Sequence, residues 1–228
     1  MRVSLKILAV AALIFFSSQS MARSGEEISG MSKWERWVKS FPDSESLSVR
    51  WGGEHQSLIS VHGLILPPMN APSAKARVQE LVKHIVELHG IKTGDLDQAQ
   101  EQGSANRTAL RYAQHYEGLP VEDKALVVTV RKDGAVVGIE NNLASFSEPS
   151  TPMVLKAEEA RLRALDALKF PVDKKSVQAP PAAVILEVLG TPVRTWRVPV
   201  AALPNGLYSV YVRGDNGKIL WVRNRMIR

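Results

Sequence analysis

His84-Ile85-Val86-Glu87-Leu88-His89 is the segment whose residue types come closest to a reactive constellation. Two histidines flanking a glutamate on a helix are the ingredients of a zinc-hydrolase site, with both imidazoles on the ion and the carboxylate as base. That chemistry needs the histidines four residues apart, about 40° around the helix, so that both reach one metal. Here they are five apart, about 140° around, and the ligands diverge. His55, His62 and His115 share no ligand spacing and read as surface or strand histidines. Glu158 and Glu159 are adjacent on a helical pattern and point about 100° apart, a poor acid–base pair. No Gly-x-Ser-x-Gly elbow, phosphate-cradling glycine loop or dinucleotide fingerprint occurs. The absence of cysteine removes thiolate chemistry, disulfides and a lipid attachment site. No catalytic, cofactor-binding or metal-ligating residue is assigned, and a non-enzymatic protein is expected.

Residues 1–22 read as a secretory signal. Arg2 and Lys6 precede an apolar run, Ile7–Phe16, and Ser20-Met21-Ala22 has the small-x-small pattern that places cleavage after Ala22. Ten apolar residues are half of the roughly 20 that a membrane-spanning helix needs, so no transmembrane segment is expected after cleavage, and the protein should be secreted or periplasmic. Losing Arg2 and Lys6 takes the formal charge from +6 to +4. Basic residues are interspersed with acidic ones rather than gathered on one aromatic-rich face, which argues against nucleic acid as a partner.

The remaining chain divides by its punctuation. Residues 23–54 form an N-terminal extension in which Trp34, Trp37 and Phe41 fall on one face of a short helix ended by Pro42. That stripe should dock on the protein's own core; a partner-binding face is the other reading. Leu58–Leu66 reads as a strand. Ser73 is placed as the N-cap of a helix with Val78, Leu81, Val82, Ile85 and Leu88 on its buried face and Gly90 as its stop. Thr93–Asn106 is expected to be loop, containing the formal glycosylation sequon Asn106-Arg107-Thr108. Strands follow at Leu110–His115, Lys124–Arg131 and Ala135–Glu140, the last two joined by Asp133-Gly134, a tight-hairpin dipeptide.

Asn141–Pro152 is the expected linker. Beyond it, a helix over Leu155–Lys169 buries Ala157, Ala160, Ala164, Leu165 and Leu168. A link at Gln178–Ala183 then leads to strands at Val184–Leu189, Val193–Val200, Leu207–Val212 and Lys218–Arg225. The hairpin Val128–Gly134 recurs 82 residues later as Val210–Gly217. Each copy follows a helix, which gives an α+β fold of two tandem modules, each an amphipathic helix on an antiparallel sheet.

Leu110-Arg111-Tyr112-Ala113-Gln114-His115-Tyr116-Glu117-Gly118-Leu119-Pro120-Val121 resembles the signature of the fungalysin/thermolysin propeptide (FTP) domain, and Leu126-Val127-Val128, Asp133-Gly134 and Asn142-Leu143 continue it in order. Arg111, Tyr112, Gln114, Tyr116, Gly118, Leu119, Pro120, Val121, Asp133 and Gly134 are thereby identified as structural motif residues. The second module resembles the PepSY domain that follows in such precursors, through Ala157-Glu158-Glu159-Ala160 and Tyr211-Val212…Gly217-Lys218-Ile219-Leu220. The resemblance spans about 55–228, with 55–145 FTP-like and 146–228 PepSY-like, and it implies cystatin-like modules. Arg213-Gly214 departs from the Asp-Ala usual before the second turn. The His-Glu-x-x-His protease domain that follows in those precursors is missing from this sequence.

What the resemblance implies is a stand-alone prosegment, acting on a secreted thermolysin-like metalloprotease as inhibitor, folding chaperone or both. The C-terminal strand is its natural contact element, with Trp221, Arg223, Arg225, Met226, Ile227 and Arg228 as the partner-binding residues. An envelope-associated structural or binding module reusing the same fold is the alternative, and a remnant without present function is a third.

Overall fold

The repeated Val-x-Val-Arg hairpins each anchor one part of the sheet in the computed structural model, which describes residues 33–52, 57–68, 71–171, 175–202 and 206–226. The leader assigned to residues 1–22 lies outside that range, as do Ile227 and Arg228. The first hairpin is β5 (Leu119–Arg131) and β6 (Val136–Asn141). On the β6 side stand β2 (Ser57–Leu66) and then β1 (Ser48–Gly52); on the β5 side stand β4 (Arg107–Tyr116) and then β3 (Gln100–Gly103), all antiparallel.

Two helices cover one face of these strands. In α2 (Ala71–His89), Val78, Leu81, Val82, Ile85 and Val86 pack on Leu58, Val61, Ile65, Leu126, Val128 and Ile139. The helix begins two residues before the assigned Ser73 cap. Pro72 fits its first turn, where a missing N–H leaves no bond unmade. It ends at Gly90 (φ +71), with Gly90 N–H donating to the Glu87 carbonyl and Ile91 N–H to that of Val86, a Schellman closure. The short helix α1 (Lys33–Lys39) seats Trp34, Trp37 and Val38 in the same core, and Phe41 follows them. Trp37 meets Trp34 and Phe41 edge-on, with centroids 5.9 and 4.9 Å apart. The aromatic stripe is therefore part of the core, and the partner-face reading of it is overturned.

The second hairpin is β10 (Gly206–Arg213) and β11 (Ile219–Asn224), preceded by β8 (Ala182–Val188) and β9 (Thr191–Ala202), in the order β8-β9-β10-β11. Helix α3 (Ala157–Ala167) lies across it, with Ala160, Ala164 and Leu168 against Val198, Val200, Val210 and Val212. Small alanines on the contact face let the helix approach the sheet closely. Val121 of β5 bridges Ile185 of β8 in parallel, so the described strands form a single mixed sheet that is mostly antiparallel.

Three strands were not expected. β1 lies in the N-terminal extension, where only a short helix was assigned, and none of its residues is fully buried. Thr93–Asn106, read as loop, contains β3, whose four residues are all exposed and so carry no apolar alternation. The segment before Gln178 contains β7 (Lys175–Val177), which pairs with the far end of β9 and is too short to show a period.

Candidate partner-binding edge

The motif residues on β4 and β5 act mainly on the linker. Gln114, 1% exposed, donates through Nε2 to the Ala144 carbonyl (2.7 Å) and accepts from the Ala144 N–H at Oε1 (2.9 Å), standing in for a paired strand. Tyr116 donates its hydroxyl to the Glu148 carbonyl (2.8 Å) and meets Phe146 edge-on at 4.9 Å. Glu117 accepts from the Ser150 hydroxyl and from Arg194 Nη2 (2.9 Å); the Ser150 bond is the first of the causes holding its carboxyl below the usual range. The linker is thus a strap tied at Ala144, Glu148 and Ser150.

Tyr112 packs on the first core, and Gly118 (φ +77) and Gly134 (φ +81) allow the tight turns. Asp133 caps its turn by accepting from the Ala135 N–H (3.1 Å) and pairing with Arg131. Leu119 and Pro120 start β5 opposite Tyr116 and His115, Val121 makes the junction with β8, and Arg111 lies opposite Val127 and Gln100. Replacing Gln114 with alanine should lower the unfolding free energy by about 2–3 kcal/mol, because it orphans a buried N–H and a buried C=O. Urea unfolding of the variant measures this, and a loss under about 0.5 kcal/mol would mean that water replaces the amide.

Just past the motif, Glu122 and Asp123 meet the second half of the chain. Glu122, whose side chain is 6% exposed, accepts from Arg197 Nη1 (3.0 Å) at Oε2 and from the Tyr211 hydroxyl (2.7 Å) at Oε1, with Arg225 Nη2 at 3.5 Å. Arg225 also donates Nε to the Ser209 hydroxyl (2.7 Å). Asp123 pairs with Arg223, and Lys124 with Glu187 (2.5 Å). Burial, then the bond to Glu122 and its charge, pushes the Tyr211 phenol up; the Asp123 charge does the same to Arg223. Sequence reasoning missed this seam. Its only trace is the run Glu122-Asp123-Lys124, which breaks an otherwise apolar strand.

Among the described strands, β11 pairs with β10 alone and so forms an edge. Trp221 (43% exposed) stacks on Tyr211 with centroids 5.5 Å apart, and Arg223 lies 5.6 Å over the indole. Val222 (38%) and Met226 (69%) are exposed on the same segment, and Leu207 (46%) on β10. Beside them runs a shallow groove of about 320 Å³, lined by Pro180, Arg197, Pro199, Leu207, Ser209 and Arg225 among others. Of the tail residues assigned to a partner, Trp221 and Met226 present apolar surface, while Arg223 and Arg225 are engaged with the chain's own carboxylates. Such an edge offers unpaired backbone N–H and C=O groups to an incoming strand.

Gly214, the departure in the second hairpin, has a local cause. A Cβ there would stand 2.4 Å from Met153 Sδ and 3.0 Å from the Arg194 carbonyl oxygen, while the Gly214 carbonyl accepts from Val154 and Leu155 N–H as the strap arrives. The two histidines of the rejected zinc motif point apart as well: His84 lies against Trp37, and His89 against Trp34 and Asn141. Among the described residues, no three His, Cys, Asp or Glu gather in a way that could hold a metal ion. No helix among them is long and apolar enough to cross a membrane.

Residues 107–143, which span β4 to the start of the strap, match the family described as Fungalysin/Thermolysin Propeptide Motif. Among solved structures, the chain is similar to the Bacillus megaterium YpeB C-terminal domain, with a TM-score of 0.40 and 13% identity, over 78% of this chain and 88% of that one. That likeness is too loose to transfer a residue's role. No curated protein matches the chain.

Proposed function

We propose that this chain is a non-enzymatic, propeptide-like protein that binds a thermolysin-like zinc metalloprotease in trans, as inhibitor, folding helper or both, through the β11 end of its sheet. The observation that carries the reading is the match to the propeptide motif over residues 107–143. In keeping with it, Gln114 and Tyr116 spend their polar groups on fixing the chain's own strap, a scaffolding role rather than a catalytic one. On this reading residues 1–22 are a cleaved signal, and the mature protein is secreted or periplasmic. Residues 55–145 and 146–228 are then two tandem cystatin-like modules, FTP-like and PepSY-like, joined by the Glu122 seam. The exposed Trp221, Val222 and Met226 supply the apolar anchors that a partner's cleft would bury.

The envelope-module alternative loses its two supports, since the Trp34/Trp37/Phe41 stripe is core and Gly214 answers to Met153. Titrating a thermolysin-like protease with the mature chain tests the proposal. One-to-one loss of activity, or assisted refolding of the denatured enzyme, is expected, and both should weaken about tenfold or more in Trp221→Ala/Met226→Ala. Deleting Trp221–Arg228 would be a poor probe, because it also strips Arg223 and Arg225 from the seam. A protease indifferent to a large excess of the folded protein in both assays would remove the reading.

A further inference from the structure

Leu189 is in the wrong place for its side chain. With Gly190 it forms the two-residue turn between β8 and β9, bounded by the pair Val188↔Thr191, and both residues have positive φ (+51 and +80). That mirror-image turn suits strand twist and favours Asn, Asp or Gly at its first position. A leucine there is strained, and this one is also fully exposed. The chain contains its own control. Glu117-Gly118 makes the same kind of turn between β4 and β5, with φ of +50 and +77. There the strained side chain is used, accepting from Ser150 and Arg194. Among the described residues, Leu189 makes no such contact and is left fully exposed.

We infer that Leu189 is a contact residue of the protease partner, inserted into an apolar pocket on that protein's surface; the inference rests on the metalloprotease reading and adds a second anchor to β11. Continuity supports it. Val188 and Leu220 pack in one cluster with Tyr211, so the turn and β11 flank one patch. The turn lies three strand spacings, about 14 Å, across the sheet from β11, and about 20 Å along it from Trp221, which is in register with Tyr211 and Arg197. One standard interface spans both. Charge favours a protein over a lipid surface, because exposed Glu148 lines a small hollow beside Leu189 and would be repelled by anionic headgroups.

The test compares the mature wild-type chain with Leu189→Asn and Leu189→Ala, by inhibition of a thermolysin-like protease, by melting and by sedimentation. Asparagine suits the turn, so Leu189→Asn should melt higher, by about 2–4 °C. Yet it should bind the protease about tenfold more weakly or worse, as should Leu189→Ala. A purely structural leucine would give the opposite sign in melting and no change in binding, and either result overturns the contact. Equal affinity of all three proteins removes the contact and leaves the protease reading standing; a wild-type chain that does not bind removes both. A wild-type dimer that Leu189→Asn makes monomeric would assign the leucine to a second copy and overturn the proposal.

Discussion

Glu122→Ala should lower the unfolding free energy by about 3 kcal/mol at neutral pH, the low end for breaking a buried charge pair by removing one partner. The carboxylate is nearly fully buried and is shared by Arg197, Tyr211 and Arg225. Without it, the phenol of Tyr211, a residue with no exposed surface, has no acceptor, and Arg197 and Arg225 lose the carboxylate they share. Both arginines keep about two-fifths of their side chains in water, which is why the low end applies. Glu122→Gln, which keeps an acceptor for Tyr211 but not the charge, should lose about half as much. Urea unfolding of the three proteins checks this. Because Glu122 stands on β5 and its partners on β9, β10 and beyond β11, its loss should also broaden the transition as the two halves uncouple. A sharp transition with a loss under about 1 kcal/mol would mean that the seam is incidental.

Acid should weaken the fold before its carboxylates titrate. Burial takes the His89 imidazole from its usual 6.5 down to about 4, and the charges of Lys33 and Lys124 add to this. Its bond with Asn141 would favour the cation only if the amide oxygen faced the ring. Asn141 Nδ2 donates to the Leu58 carbonyl (2.8 Å) while Oδ1 accepts from the Leu143 N–H (3.3 Å), so the NH₂ group also faces Nε2 (2.6 Å) and requires a neutral ring there. The folded protein therefore resists a proton that the unfolded chain accepts. Stability is unaffected above pH 6.5, falls as the pH drops from 6.5 to about 4, and levels off below. The loss is about 2 kcal/mol by pH 5 and about 3 at full extent. Burial also lowers His84, against the raising effect of Glu87, so wild type must be compared with His89→Gln, which keeps an acceptor for Asn141. The wild type should lose about 2 kcal/mol more than the variant between pH 7.5 and pH 5. Parallel stability curves would put a proton acceptor other than His89 in control.

The helices and the two repeated hairpins were legible because each is encoded locally. Val78, Leu81, Val82 and Ile85 repeat with the helical period, and Asp133-Gly134 and Asn216-Gly217 mark turns that only their own neighbours need. The aromatic stripe of α1 was legible as core for the same reason. What escaped was encoded at a distance. β3 has no buried face and β7 has three residues, so neither writes a period into the chain. Val121↔Ile185 joins the sheets through one bridge between residues that look like any two β-branched core positions. The seam is a matter of Glu122 meeting Arg197 and Arg225, which are 75 and 103 residues away. The tail arginines were therefore read as free for a partner, although the chain's own carboxylates hold Arg223 and Arg225. The motif identified Gln114 and Tyr116, but not that their partners would be the strap's backbone.

On the proposed function, β11 and the patch beside it meet a thermolysin-like metalloprotease. Amide hydrogen exchange of the mature chain, free and mixed with a catalytically inactive form of such a protease, tests this directly. The expected result is slowed exchange across 206–213 and 219–226 and at the Leu189 turn, with the strap at 142–155 unchanged. A complex that leaves β11 exchanging as in the free protein, or no complex at all, would contradict the account.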